Sequence, residues 1–176
     1  MEIGIVTNTA KSWLSILEAS GLIYLLEPWS ANHLKRALKT PKVYVTDTGL
    51  LAWLTRWPTV ETIRAGAKAG QFFESYVIGE IIKSFYNDGI SRPELYYYRD
   101  KDQNEIDLII QAGRTLYPVE IKMTAAPNVQ MAKSFKYLLK IAEANGLEVG
   151  SGTIICQYPE MMHLKENLIA IPVQYV

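Results

Sequence analysis

Residues 105–123 read EIDLIIQAGRTLYPVEIKM, and the fold turns on how this stretch pairs with itself. With a period of two, Ile106, Leu108 and Ile110 share one side of an extended strand, and Glu105, Asp107 and Ile109 share the other. In the second run Val119, Ile121 and Met123 occupy one face, Glu120 and Lys122 the opposite one. Between them lies Gln111-Ala112-Gly113-Arg114, a short glycine-containing connection suited to a hairpin, so the runs are expected to pair antiparallel. A turn centred between Ala112 and Gly113 sets Asp107 opposite Pro118 and Glu105 opposite Glu120, leaving Asp107 and Glu120 as diagonal neighbours on one face. Two carboxylates that close repel unless a cation or a shared proton lies between them. The ammonium of Lys122 points into the same space. This is the outline of a magnesium site, although a hairpin with one solvated face alternates in the same way.

Composition bounds the alternatives. A chain of 176 residues with 49% apolar content is long enough for one well-cored domain, or one domain with a small appendage. No apolar run approaches the roughly 18 residues that cross a bilayer, so no membrane partner is expected. The start MEIGIV lacks the basic region and cleavage site of a secretory signal. Cys156 stands alone, which excludes a disulfide framework and a thiolate metal centre. A cytoplasmic location is expected. His33 and His163 are far apart, which speaks against zinc chemistry without excluding a single ligand. GAKAG at 66–70 has neither the spacing nor the hydroxyl of a phosphate-binding loop, so ATP is not bound by that route. Lys plus Arg equals Asp plus Glu at 18 each. With no global positive field, nucleic-acid binding needs local patches.

The chain is expected to divide into residues 1–40 and 41–176. In TNTAKSWLSILEASGLIYLLEPW, Trp13, Leu14 and Leu17 recur at helical spacing, Asn8 or Thr9 can cap the start, and Gly21 precedes the strand-like LIYLL. A helix, a glycine and a strand resemble part of a winged helix-turn-helix. HLKRALKTPK then places His33, Lys35, Arg36, Lys39 and Lys42 in one basic run, either a solvated linker or a nucleic-acid contact. Beyond it come a strand at VYVTD, a helix at TGLLAWL and a longer helix in GQFFESYVIGEIIKSFYNDG. Phe73, Val77 and Ile81 form the apolar stripe of that helix and Glu74 stands beside it. An acid there suits either a functional site or the dipole of the first helical turn. ELYYYRD reads as a strand leading into the hairpin, its tyrosines being strand packing or a base-stacking platform. A helix is expected from about Val129 to Asn145, with Lys133, Lys136 and Lys140 on one face as a solvated surface or a second nucleic-acid contact. GTIICQY reads as a buried strand and LIAIPVQYV as a last edge strand limited by Pro172. The result is an α/β fold, a mixed sheet flanked by helices.

Glu74 on a helix, Asp107 on a strand and Glu120-Ile121-Lys122 on the next strand resemble the signature of the PD-(D/E)xK nuclease superfamily. More specifically, PKVYVTDTGLLAWL, GQFFESYVIGEII, YYYRDKDQNEIDLII and YPVEIKM, in that order, resemble the carboxy-terminal domain of prokaryotic AAA-type ATPases known as domain of unknown function 4143. Ile106 departs from the superfamily pattern, standing where its proline would be. The resemblance implies a restriction-endonuclease-like core at 41–176 behind a partial winged helix at 1–40, with an amino-terminal ATPase module as partner. It also implies that Asp107, Glu120 and the Ile121 carbonyl hold Mg²⁺ (or Mn²⁺), that Glu74 completes the site, and that Lys122 orients water or offsets charge on phosphorus. The substrate would be nucleic acid, DNA before RNA, with Lys35, Arg36, Lys39, Lys133, Lys136 and Lys140 as contacts. A nucleic-acid-binding or protein-interaction domain without catalysis is the other class that the residues allow.

Overall fold

A computed structural model describes residues 4–31 and 40–176, so His33, Lys35, Arg36 and Lys39 lie outside the described residues. The architecture follows from the β4–β5 hairpin. β4 (Glu105–Ala112) and β5 (Thr115–Ile121) pair antiparallel, with Ala112 opposite Thr115 and Leu108 opposite Val119. The turn residues are Gly113 and Arg114, and Gly113 has φ +60°. A positive φ at the first central position alone is what a type II′ turn demands, and glycine meets it without steric cost. The turn therefore centres one residue later than expected, and Pro118 faces Ile109 rather than Asp107. A two-residue shift leaves every side chain on its face, and the same register carried one pair further sets Asp107 directly opposite Glu120.

On its other side β4 pairs with β3 (Leu95–Arg99) through an irregularity: Tyr96 faces Ile109 but Tyr98 faces Ile106, so Asp107 and Leu108 together oppose Tyr97. Such a bulge inserts one residue and re-aims the side chains around it. The expected face of Ile106, Leu108 and Ile110 is split by it. Leu108 packs with Tyr97, Val119 and Ile121, whereas Ile106 joins Ile109 and Leu116 on the opposite side.

Around the hairpin the sheet runs β2 (Lys42–Val45), β1 (Ile23–Pro28), β3, β4, β5, β7 (Gly152–Cys156), β9 (Leu168–Pro172), β8 (Met162–Lys165), with the short β6 (Glu148–Val149) also on β5. β5, β7 and β9 are mutually parallel. β9 is not an edge strand, because β8 closes it antiparallel and Pro172 falls only at its last pair, against Cys156. β1 pairs with β2 and, in parallel, with β3, so the segment expected as a wing strand enters the sheet. α1 (Thr7–Ala19) before it buries none of its residues.

Each sheet face carries its own core. α4 (Ala69–Asn87) lays Val77, Ile78, Ile81 and Ile82 over Leu26, Tyr44, Leu108 and Ile121. On the opposite face α5 (Phe135–Ala144) lays Phe135, Leu138 and Ala142 over Ile106, Ile109 and Ile154. Fully burying one such aliphatic side chain contributes about 1.5–3 kcal/mol, which fixes both helices against the sheet. The expected helix at 129–145 is in fact a 3-10 turn, Val129–Ala132, opened by the Asn128 side chain accepting from the Gln130 N–H, with α5 starting only at Phe135. Two short helices, α2 (Thr48–Leu54) and α3 (Val60–Ala65), precede α4. Asp47 caps α2, and Thr59 with Thr62 forms a capping box on α3. Among the described residues no helix is long and apolar enough to cross a membrane.

Candidate functional site

Asp107, Glu120 and Lys122 meet where the hairpin strands part. The Lys122 ammonium lies 3.1 Å from Asp107 Oδ2 and 3.3 Å from Glu120 Oε1. Asp107 Oδ2 also accepts from the Ile121 N–H at 2.8 Å, while the Lys122 N–H turns to the Ile155 carbonyl of β7. A side chain thus takes the donor that β4 would otherwise meet with a carbonyl, which fixes the carboxylate against β5. Both acids are buried, Asp107 at 7% and Glu120 at 5% exposure, and it is Lys122 that reaches solvent.

Burial and charge then set protonation. Burial first, and then the neighbouring Asp107 carboxylate, push the Glu120 carboxyl up to about 8, against the pull of Lys122. Lys122 is held above its ordinary value: burial opposes its charge, but Asp107 and Glu120 outweigh burial. One oxygen remains unmatched. Glu120 Oε2 is buried and has no hydrogen-bond partner among the described residues, a state that costs free energy unless a proton or a cation completes it.

Glu74 is on the α4 face but not in this group. It lies beyond the first turn of α4, so the helix dipole does not account for it. Its Oε1 accepts from the Tyr44 hydroxyl and from Lys42 Nζ at 3.2 Å. Lys42 also pairs with Glu105, which accepts from Arg99 Nε at 2.8 Å, and its ammonium stands 5.3 Å from the Tyr97 ring centroid. Lys42 further feels the charge of Asp107, so the second group adjoins the first. Burial, and then Glu74, push the Tyr44 hydroxyl far up, which keeps it a donor to that carboxylate.

The structure therefore brings together Asp107, Glu120, Ile121 and Lys122, and holds Glu74 one cation away. Among the described residues no three His, Cys, Asp or Glu side chains stand close enough to hold a metal ion. Sequence alone assigns no role at the site to Tyr44, Glu105 or Arg99, and it groups Lys42 with the basic run. The alternation in KVYV, which sets Lys42 and Tyr44 on one face, is the signal that could have found them. Lys136 and Lys140 are exposed four residues apart on α5, across the sheet from α4, and Lys133 precedes that helix. Lys133 and Lys136 line a groove of about 570 Å³ together with Lys165 and Glu166.

A family model described as a domain of unknown function (DUF4143) matches residues 69–176, and another, also a domain of unknown function (DUF8612), matches residues 1–61. Uncharacterized proteins of Mycobacterium bovis and Mycobacterium tuberculosis are each 26% identical over 172 residues. The match covers 98% of this chain but 36% of the length of each relative. No solved structure matches.

Proposed function

Since this chain belongs to the family of the domain of unknown function DUF4143, we propose that it is a metal-dependent nuclease domain of the PD-(D/E)xK kind. In this reading a restriction-endonuclease-like core follows a partial winged helix, and the whole works in the cytoplasm within a larger AAA-type ATPase, on DNA in preference to RNA. The observation that carries the reading is the charge deficit at the hairpin, where two buried carboxylates share one ammonium and Glu120 Oε2 has no partner. The donor set fits a hard divalent cation. Asp107, Glu120 and the Ile121 carbonyl would hold Mg²⁺ or Mn²⁺, which when bound supplies Lewis acidity toward a phosphodiester and a water. The chain's own parts are then distinct. The Ile121 N–H fixes the Asp107 carboxylate, and the solvent-reaching Lys122 ammonium offsets negative charge developing on phosphate oxygens. That the chain spans 36% of its relatives' length supports a larger assembly.

A specific observation favours a second reading. Glu74, held by Lys42 and Tyr44, leaves two acids at the site among the described residues, as in a domain that binds nucleic acid or protein without cutting. Cleavage of DNA and RNA in Mg²⁺ or Mn²⁺ separates the two. Lys122→Ala is expected to lower cleavage by at least about 100-fold with metal binding intact by calorimetry, because an ammonium is not a ligand. Asp107→Ala is expected to remove both. Full-length protein that, with ATP and either metal, binds nucleic acid and never cuts it would overturn the nuclease reading.

A further inference from the structure

Three adjacent parallel strands, β5, β7 and β9, end beside one another, and the residues just past their ends, Met123, Gln157 and Val173, line a cleft of about 580 Å³. In open α/β sheets the space beyond the carboxyl ends of strands is where ligands bind. The opposite wall comes from α4 through Phe72, Phe73 and Tyr76. One of these lining residues is a chain neighbour of the site, Met123 following Lys122, and another, Phe73, precedes Glu74 of the second group. The cleft therefore begins one residue along the chain from the Lys122 that pairs with both carboxylates.

Its chemistry narrows the occupant. Phe72 is stacked on Trp57 with centroids 5.7 Å apart and planes 12° from parallel, so part of the aromatic wall is already ordered. Tyr76 is 41% exposed, leaving its ring available. Arg64 is the one charged side chain among the lining residues and none of them is acidic. An aromatic wall suits a flat ring, the Gln157 amide suits the polar edge of that ring, and a lone guanidinium suits an attached anion. The Gln157 amide and the Arg64 guanidinium are both exposed, so each can turn to a polar ligand at the cleft mouth. We infer that this cleft receives one unpaired nucleobase of the strand whose phosphodiester lies at Lys122, stacking it on Phe73 and Tyr76 while Arg64 meets a neighbouring phosphate. The inference rests on the proposed nuclease reading for its substrate class, but base binding does not require cleavage.

Short single-stranded DNAs carrying 2-aminopurine at each position in turn, titrated with the 176-residue chain in EDTA, test it. One position is expected to show quenched fluorescence on binding. Tyr76→Ala should weaken binding about tenfold, the usual scale for a base stacked on an aromatic ring, and Tyr76→Trp should restore it. An abasic site at the quenched position should cost the wild type a similar factor and cost Tyr76→Ala almost nothing further. The thermal midpoint is expected to be unchanged, since the ring is exposed. Should Tyr76→Ala fold poorly, Arg64→Ala serves instead, with weaker binding and a salt dependence reduced by about one ion. Undiminished affinity and quenching in the variants would overturn the inference, as would a dimer of this chain that closes the cleft and is dissolved by Tyr76→Ala. EDTA separates the two readings. Stacking by a full-length protein that never cuts with ATP and either metal keeps the cleft and rejects the nuclease, whereas cutting that ignores Tyr76 and the abasic site keeps the nuclease and rejects the cleft.

Discussion

Among the described residues, Glu74 and Glu105 share two cations, Lys42 and Arg99, whereas Asp107 and Glu120 share one, Lys122. The outer group is balanced in charge, and Glu105 and Lys42 titrate accordingly. The Glu105 carboxyl stays below its usual range because Lys42 and Arg99 outweigh its burial, and Lys42 stays above its own for the corresponding reason. The inner group carries one net negative charge and is more deeply buried, so Glu120 cannot ionise at ordinary cost. Balance thus marks the outer group as structural, and deficit marks the inner one as the place that accepts a proton or a cation.

The largest effect that tests this contrast is on pH. Glu120 holds its proton more tightly in the folded chain than in the unfolded one, its carboxyl being raised from 4.5 to about 8. Between those values the folded state binds the extra proton. Raising pH through that window is therefore expected to lower the stability of the metal-free chain by up to about 1.4 kcal/mol per pH unit. Below the window both states are protonated and the slope vanishes. Glu120→Gln should remove this component, so chemical denaturation of both chains between pH 5 and 8 in EDTA reads it as a difference in slope. Parallel profiles for the two chains would mean that the inner group carries no deficit.

Next in size is the outer group's shared cation. Lys42→Met leaves Glu74 and Glu105 with Arg99 alone and removes the ammonium beside Tyr97. The Lys42 side chain is 20% exposed, between the surface pairs that contribute little and the buried ones whose breakage costs 3–5 kcal/mol. A loss of about 1–2 kcal/mol at pH 7 is expected, shrinking as pH falls below 4.5 and through the depressed value of Glu105. A loss unchanged across that fall would trace to packing of the lysine stem instead of its charge.

How much of this was legible depended on the range of the cause. The antiparallel pairing of residues 105–112 with 115–121 follows from alternation and a glycine, both local. Its register does not, because Gly113 fits either side of a turn centre and only the observed backbone shows which. The bulge that sets Asp107 and Leu108 against Tyr97 is decided by β3, whose pairing no feature of 105–112 announces. The convergence of Asp107, Glu120 and Lys122 withstands the change of register, since a two-residue slip preserves the face. Glu74 depended on more. Its reach to Tyr44 and Lys42 needs β2 on the sheet edge under α4, and four residues of KVYV give no hint of which strand they will join.

The smallest expected effect sits at the solvent end of the outer group. Arg99 grips Glu105 Oε2 through Nε at 2.8 Å and Nη2 at 2.6 Å, a fork that is strong when desolvated. Here the arginine side chain is 46% exposed, and Glu105 keeps Lys42 whether or not the fork is present. Arg99→Ala is therefore expected to cost less than about 1 kcal/mol, and 1 M NaCl should erase most of that loss, because ions screen an exposed pair over about 3 Å. The loss from Lys42→Met should persist in the same salt, its charge being more enclosed. Thermal denaturation of both variants at low and high salt makes the comparison directly. Equal losses with equal salt sensitivity would mean that fork geometry, not enclosure, holds the outer group, and its contrast with the buried pair at Lys122 would then reduce to a difference in the number of cations.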